Sequence, residues 1–316
     1  MTDEHAAPQR NRSGAPRLIG PDVTRAIGLI GVVVMNYHGY LNGSGAGRHG
    51  SFVERVFNTV DGPLTTRFAA VFVLVAGVGV TLLTNRSRVS GDAAAISDDR
   101  WRLVRRGTLL YACGAVLEWI WPGTVIFYYG ALFVIAAALF TLRSRWLVAI
   151  GAAATVIAAG VAWFRVERLN EGDPTSWLDP EPDSPRNLLL RTLFGYTHPL
   201  FPWLAFFCAG IVLGRALPLS RPTARLLGLC GAWLVALTYA INAIGLRAVH
   251  GDGPSATTWR RLLSTSPWDR GVLYTVGTLG SSLLAFVVVD ALAEATATAP
   301  PTRWLQHAGQ MTLTLY

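Results

Sequence analysis

Residues 18–38 read LIGPDVTRAIGLIGVVVMNYH, an apolar run interrupted at both ends by polar groups. Asp22 and Arg25 sit near its start, and Asn36 and His38 close it. The run is long enough to cross a bilayer as a helix of about 20 residues. A charge inside such a span costs roughly 2.5 to 3.5 kcal/mol on insertion scales, so ionisable residues there are a functional-site hypothesis by default. A second polar cluster, Asp61 and Arg67, heads the next apolar run. Everything between Leu18 and Thr84 therefore reads as two membrane-crossing helices joined by a polar loop.

Composition agrees. Of 316 residues, 52% are hydrophobic and only 15% charged, with a positive mean hydropathy, which excludes an ordinary soluble enzyme. The net charge of +8 does not point to nucleic acid, because the arginines fall between apolar runs instead of along one polar face. Every basic side chain is Arg; the chain has no lysine. The partner these features predict is the lipid bilayer. Cys113, Cys208 and Cys230 lie within apolar runs and read as small buried hydrophobes, and no zinc-type spacing, phosphate-binding glycine loop or nucleophile elbow is present.

Further runs of near-spanning length follow at 64–83, 103–120, 125–142, 146–164, 199–217, 224–246 and 271–292. A ninth begins near Gln310 and is cut off at Tyr316. The expected fold is all-α: a polytopic bundle of about eight complete spans plus a truncated ninth, behind a polar disordered tail over residues 1–17. One domain, 18–316, is expected to hold all the spans. The first run is not read as a signal peptide, since no small-residue cleavage site follows it.

Arginine placement sets the orientation. Arg86, Arg88, Arg100, Arg102, Arg105 and Arg106, then Arg143 and Arg145, then Arg215, Arg221 and Arg225, alternate with acidic or uncharged connections. By the positive-inside rule the basic segments and the amino terminus are cytoplasmic. His38, His49, His198 and His250 then fall on the outer side with Glu118 and Asn242, and Arg25 on the inner. Arg25 and His38 are thirteen residues apart, about 20 Å along a helix. Arg25 and Asn36, eleven apart, differ by only about 20° around it and share a face with Asp22. Gly39 and the Gly/Ser-rich run at 42–47 suggest that the helix ends there.

Several motifs look familiar together. Pro21-Asp22-Val23-Thr24-Arg25-Ala26-Ile27, the Asn36 eleven positions beyond Arg25, Asp61-Gly62 and the run 68–77 resemble the opening of the heparan-alpha-glucosaminide N-acetyltransferase family and its YeiB-type bacterial relatives. His198-Pro199-Leu200-Phe201-Pro202-Trp203 with Gly210 and Gly214, and the segment from Gly309 and Gln310 to Tyr316, resemble it more loosely. The resemblance implies a membrane acyltransferase that takes an acetyl group from cytoplasmic acetyl-CoA and delivers it to a saccharide or similar acceptor across the bilayer. Animal members of the family carry a catalytic His shortly before the second span; the matching position is near Val56, where this chain has none.

The chemistry narrows the candidates. Acyl transfer needs a base or a nucleophile, and imidazole serves as either. His38 is the first choice and His198 the reserve, with Asp61 or Glu118 to orient the ring. Set against these roles, His38 also fits an interfacial histidine satisfied by water, Asp61 a helix cap, and Glu118 an ion-pair partner of Arg67. For the phosphates of CoA the available groups are Arg25, Asn36, Arg102, Arg105 and Arg106, since guanidinium suits phosphate well. The last three arginines also fit simple topology anchors, and Asp22–Arg25 a structural pair. A transporter or flippase for a lipid or saccharide is the alternative class, and a catalytically dead scaffold a third.

Overall fold

The computed structural model describes residues 17–43, 51–120, 125–173, 175, 185–195 and 198–315. Among them the chain is helical throughout: α1 (Ile19–Gly43), α2 (Phe52–Phe57), α3 (Arg67–Ser90), α4 (Ala93–Ile120), α5 (Ile126–Leu139), α6 (Ser144–Asn170), α7 (Pro185–Phe194), α8 (Leu200–Arg215), α9 (Arg221–Ala248), α10 (Pro254–Leu262), α11 (Val272–Ala295) and α12 (Pro300–Leu315). Five of these, α1, α3, α6, α9 and α11, are long and apolar enough to cross a membrane, and α5 and α8 are shorter apolar helices. The protein is a multi-pass membrane protein. Each expected span coincides with a helix, but α12 begins at Pro300, earlier than the expected start near Gln310. Apart from Arg17, the expected tail lies outside the described residues.

Helix ends follow local chemistry. Ser51 and Ser220 cap α2 and α9 by accepting the amides of Glu54 and Thr223 at 3.0 and 3.3 Å. α3 runs past its apolar stretch to Ser90 and stops where Gly91 adopts φ +68° and donates its amide to the Ser87 carbonyl. α1 runs through Gly39 and ends at Gly43, within the Gly/Ser-rich run; Gly39 instead packs against Thr59 of the turn after α2.

α3 is the central helix, with 61% of its apolar stretch buried, whereas only 11% of that of α9 is. α3 packs against α8, α1 and α11, α4 against α5, α6 against α8, and α9 against α11 alone to any extent. The α3–α8 crossing is a backbone-to-backbone approach. A Cβ on Gly210 would overlap the Leu74 carbonyl, and one on Gly77 would overlap the Phe207 carbonyl. Small residues at such positions let helices touch closely where burial of oil against oil gives no net drive. Around this crossing Phe206, Phe207, Ile211, Leu74 and Val75 are fully buried.

The helices define two ends. At one, α1 begins beside the far end of α11, with Gly20 against Asp290. Arg215 there donates to Ser144 Oγ at 3.0 Å and to the Phe140 carbonyl at 2.9 Å. At the other end, Thr66 pairs with the Tyr274 hydroxyl at 2.8 Å, and Asn242 donates to the Leu263 carbonyl at 2.6 Å. The first is called the Arg25 end and the second the His198 end.

Gly210→Leu is expected to break the α3–α8 crossing, since overpacking costs roughly 1–3 kcal/mol even where neighbours can shift. Gly160 has open space around it, so Gly160→Leu should leave folding intact. Monodispersity and melting temperature of the two purified variants in detergent check this pair.

Candidate functional site

At the Arg25 end, Asp22 and Arg25 stand one turn apart on α1 and are each 4% exposed. The Asp22 carboxylate accepts the Arg17 Nε at 2.8 Å and lies 3.6 Å from Arg25 Nη1. An acid in the first turn of a helix also gains from its dipole. Neighbouring helices close over the pair with glycines. A Cβ on Gly79 of α3 would come within 2.9 Å of Arg25 Nη2, and one on Gly309 of α12 would overlap the Asp22 carbonyl. The Gly309 segment therefore belongs to this mouth, although it is almost three hundred residues away in the chain.

At the His198 end lies a cavity of about 420 Å³, counting the space at its open side. Leu29 and Val32 of α1, Phe72 of α3, Tyr128 and Tyr129 of α5, and Trp203 of α8 line it with His198. His198 occupies the bend before α8. Phe201 keeps extended angles (φ −100°, ψ 118°), so the regular helix starts only at Pro202, a position proline favours. The imidazole meets the Trp203 and Tyr128 rings edge-on, with centroids at 4.5 and 6.2 Å. Its Nδ1 is inaccessible and has no hydrogen-bond partner among the described residues. Burial and, to a lesser degree, the Arg270 charge push its pKa down to about 3, so the ring is neutral at physiological pH.

One face of α1 connects the two ends. Leu29 and Val32 follow Arg25 by four and seven positions, the spacing of a single helix face, so the surface carrying Arg25 leads about 6 to 10 Å along α1 to the cavity wall. Asn36 lies on the same face and is exposed. His38 does not. In the unbroken helix it stands about 220° from Arg25. It is half-buried and lines neither of the two cavities described.

The other expected residues scatter. Asp61 is exposed in the turn before α3; its amide and that of Val60 donate to the Asn58 side chain, and the N-cap of α3 is Thr66, so Asp61 caps nothing there. Glu118 is on α4, and its side chain lies outside the described residues, as does His49. Arg67 turns to α11 and α9, donating to Thr278 Oγ1 and, at 3.5 Å, to the Tyr239 hydroxyl, with the Tyr274 ring 5.9 Å away. Arg102 pairs with buried Asp99 at 2.9 Å, and Ser87 holds the second carboxylate oxygen at 2.6 Å. Arg105 is exposed and Arg106 half-buried on the same helix. Tyr128, Trp203 and Arg270 belong to the His198 neighbourhood; Trp203 entered the sequence reading only as part of the His198 motif and the other two not at all, since an aromatic residue near a span end looks like an interfacial belt.

Residues 17–245 match the model of the heparan-alpha-glucosaminide N-acetyltransferase catalytic domain. The chain belongs to this family. The match spans both the Asp22–Arg25 pair and the residues that line the His198 cavity. No curated protein and no solved structure matches the chain.

Arg25→Met should lower stability by about 3 kcal/mol, because it leaves a buried carboxylate short of a cation. Asp22→Asn in the same molecule should restore part of that loss, as both charges are then gone; thermal melts of the single and double variants read the difference. For His198 the native pKa lies below the unfolded value near 6.5, so the unfolded chain takes up a proton first as pH falls. Stability that His198 contributes at pH 7 is thus lost between about 6.5 and 3. Melting curves at pH 7 and pH 5 should show a larger acid loss in the parent than in His198→Phe, by up to about 1.4 kcal/mol per pH unit.

Proposed function

We propose that the protein transfers an acetyl group from acetyl-CoA, entering at the Arg25 end, to a saccharide hydroxyl or amine at the His198 end. The observation that carries this reading is the shared face of α1: Leu29 and Val32, which line the His198 cavity, stand on the same helix face as Arg25. Family membership supplies the reaction class. The basic segments around Arg86 to Arg106, Arg143 to Arg145 and Arg215 to Arg225 support a cytoplasmic face at the Arg25 end, with the amino terminus inside.

In this reading the acceptor's oxygen or nitrogen attacks the thioester carbonyl within the cavity, its proton passes to the neutral imidazole of His198, the C–S bond breaks, and the imidazolium returns that proton to the departing CoA thiolate. His198 is preferred to His38 because it lines a cavity and His38 faces away from the Arg25 side of α1. Phosphates of the donor meet Arg105 and Arg106, which make no ion pair among the described residues; Arg102 already holds Asp99. Arg25, paired with Asp22 and sealed by Gly79, positions α1. Asp61 and Glu118 have no part in this scheme.

His198→Ala is expected to lower acetyl transfer by a factor of roughly 10 to 10², less than the 10² to 10⁴ of a base whose pKa lies near the operating pH, while acetyl-CoA binding stays within about twofold. His38→Ala should keep most of the activity. Radiolabelled acetyl transfer by purified protein in liposomes measures both. Full activity in His198→Ala would return the role to His38, and solute counterflow without any acetyl-CoA binding would favour a transporter.

A further inference from the structure

A second cavity, of about 670 Å³ including its open side, lies beside the first at the His198 end and has no part in the scheme above. Its lining is divided. Ala158, Val161 and Ala162 of α6 make an apolar wall, whereas Arg165, Arg261 and Arg270 surround the opposite end with one acid, Asp269. Arg165 and Arg270 both aim at one point: their Nη2 and Nη1 donate to the same Phe194 carbonyl oxygen, at 3.2 and 3.1 Å. Two guanidinium groups are thereby held side by side, and Arg261 lines the same cavity. Arg270 also adopts φ +50°, an unfavourable backbone for a residue with a side chain, and such strain tends to persist where position matters for function.

The surroundings define what could fill the space. Only 28% of the apolar stretch of α6 is buried, so its flank faces the bilayer. Trp163 and Trp268, both half-exposed, sit on the rim as interfacial anchors. A cavity with hydrocarbon on one side, three cations on the other and interfacial tryptophans at its edge suits a molecule of the same division. Guanidinium groups favour phosphate, which they bind through paired hydrogen bonds. We propose that this cavity binds a phosphate-bearing amphiphile from the adjoining leaflet, its phosphate among Arg165, Arg261 and Arg270 and its chain along α6. The site stands apart from the acyl-transfer reading and does not depend on it.

The test uses purified full-length protein in a neutral maltoside and a fluorescent short-chain phosphatidylglycerol as the probe. Dioctanoyl phosphatidylglycerol should displace the probe, whereas dioctanoylglycerol, which lacks phosphate, and glycerol 3-phosphate, which lacks chains, should not. Arg165→Gln with Arg270→Gln should abolish probe binding. Because that pair also loses two bonds to Phe194, the deciding variant is Arg261→Gln, an exposed residue, which should weaken binding about tenfold with an unchanged melting temperature. Equal displacement by dioctanoylglycerol, displacement by glycerol 3-phosphate at the same concentration as the lipid, or unchanged affinity in Arg261→Gln would each overturn the assignment.

Discussion

The backbone contact between α3 and α8 is the constraint on which the bundle depends. Lipid offers no hydrophobic reward for pressing one apolar helix against another, so close approach and dispersion must hold them together. Gly77 and Gly210 permit that approach, and Gly214 extends it to Thr81, whose hydroxyl donates to the Ile211 carbonyl at 2.8 Å. With α8 fixed to α3, Trp203 and His198 are carried to the end of the bundle where Phe72 of α3 already stands. The cavity is thus a by-product of how tightly two other surfaces meet.

Both ends of the bundle hold arginines in two ways. At the Arg25 end, Arg17 and Arg25 meet Asp22 and Arg102 meets Asp99, while Arg215 donates to a carbonyl and a hydroxyl. At the His198 end, Arg168 pairs with Glu171 and Asp173 and Arg260 with Asp252, while Arg67 donates to Thr278 and Tyr239, and Arg165 and Arg270 share the Phe194 carbonyl. The family match covers both ends as far as residue 245, leaving α10 to α12, which help close them, beyond its reach.

Much of the fold was legible, for simple reasons. Apolar runs of spanning length mark helices whatever their tertiary partners, and the Asp22–Arg25 pair stood out because charge is rare inside such runs. Helix ends were less visible, since a search for apolar residues cannot see α3 continue through Asn85 to Ser90 or α4 begin at Ala93. The His198 cavity was only half legible. His198 could be named as a polar residue near a span, but its neighbours Tyr128 and Trp203 come from separate helices and resemble ordinary interfacial aromatics. Arg67 misled in another way: an intramembrane cation suggests a carboxylate such as Glu118, and this one is held by hydroxyls and a ring.

The thin attachment of α9 has a consequence for how this protein can evolve. Its buried positions are Gly231, which meets the Gly280 backbone, and Thr238, which sits over Gly277. Tyr239, Asn242 and Gly245 also meet protein, at Arg67 and Leu263; on the remaining face lipid is the neighbour, and lipid accepts an oily side chain of any shape. Among homologues, that face of α9 is therefore the place for rapid drift between leucine, valine, isoleucine and phenylalanine, punctuated by the positions that touch protein.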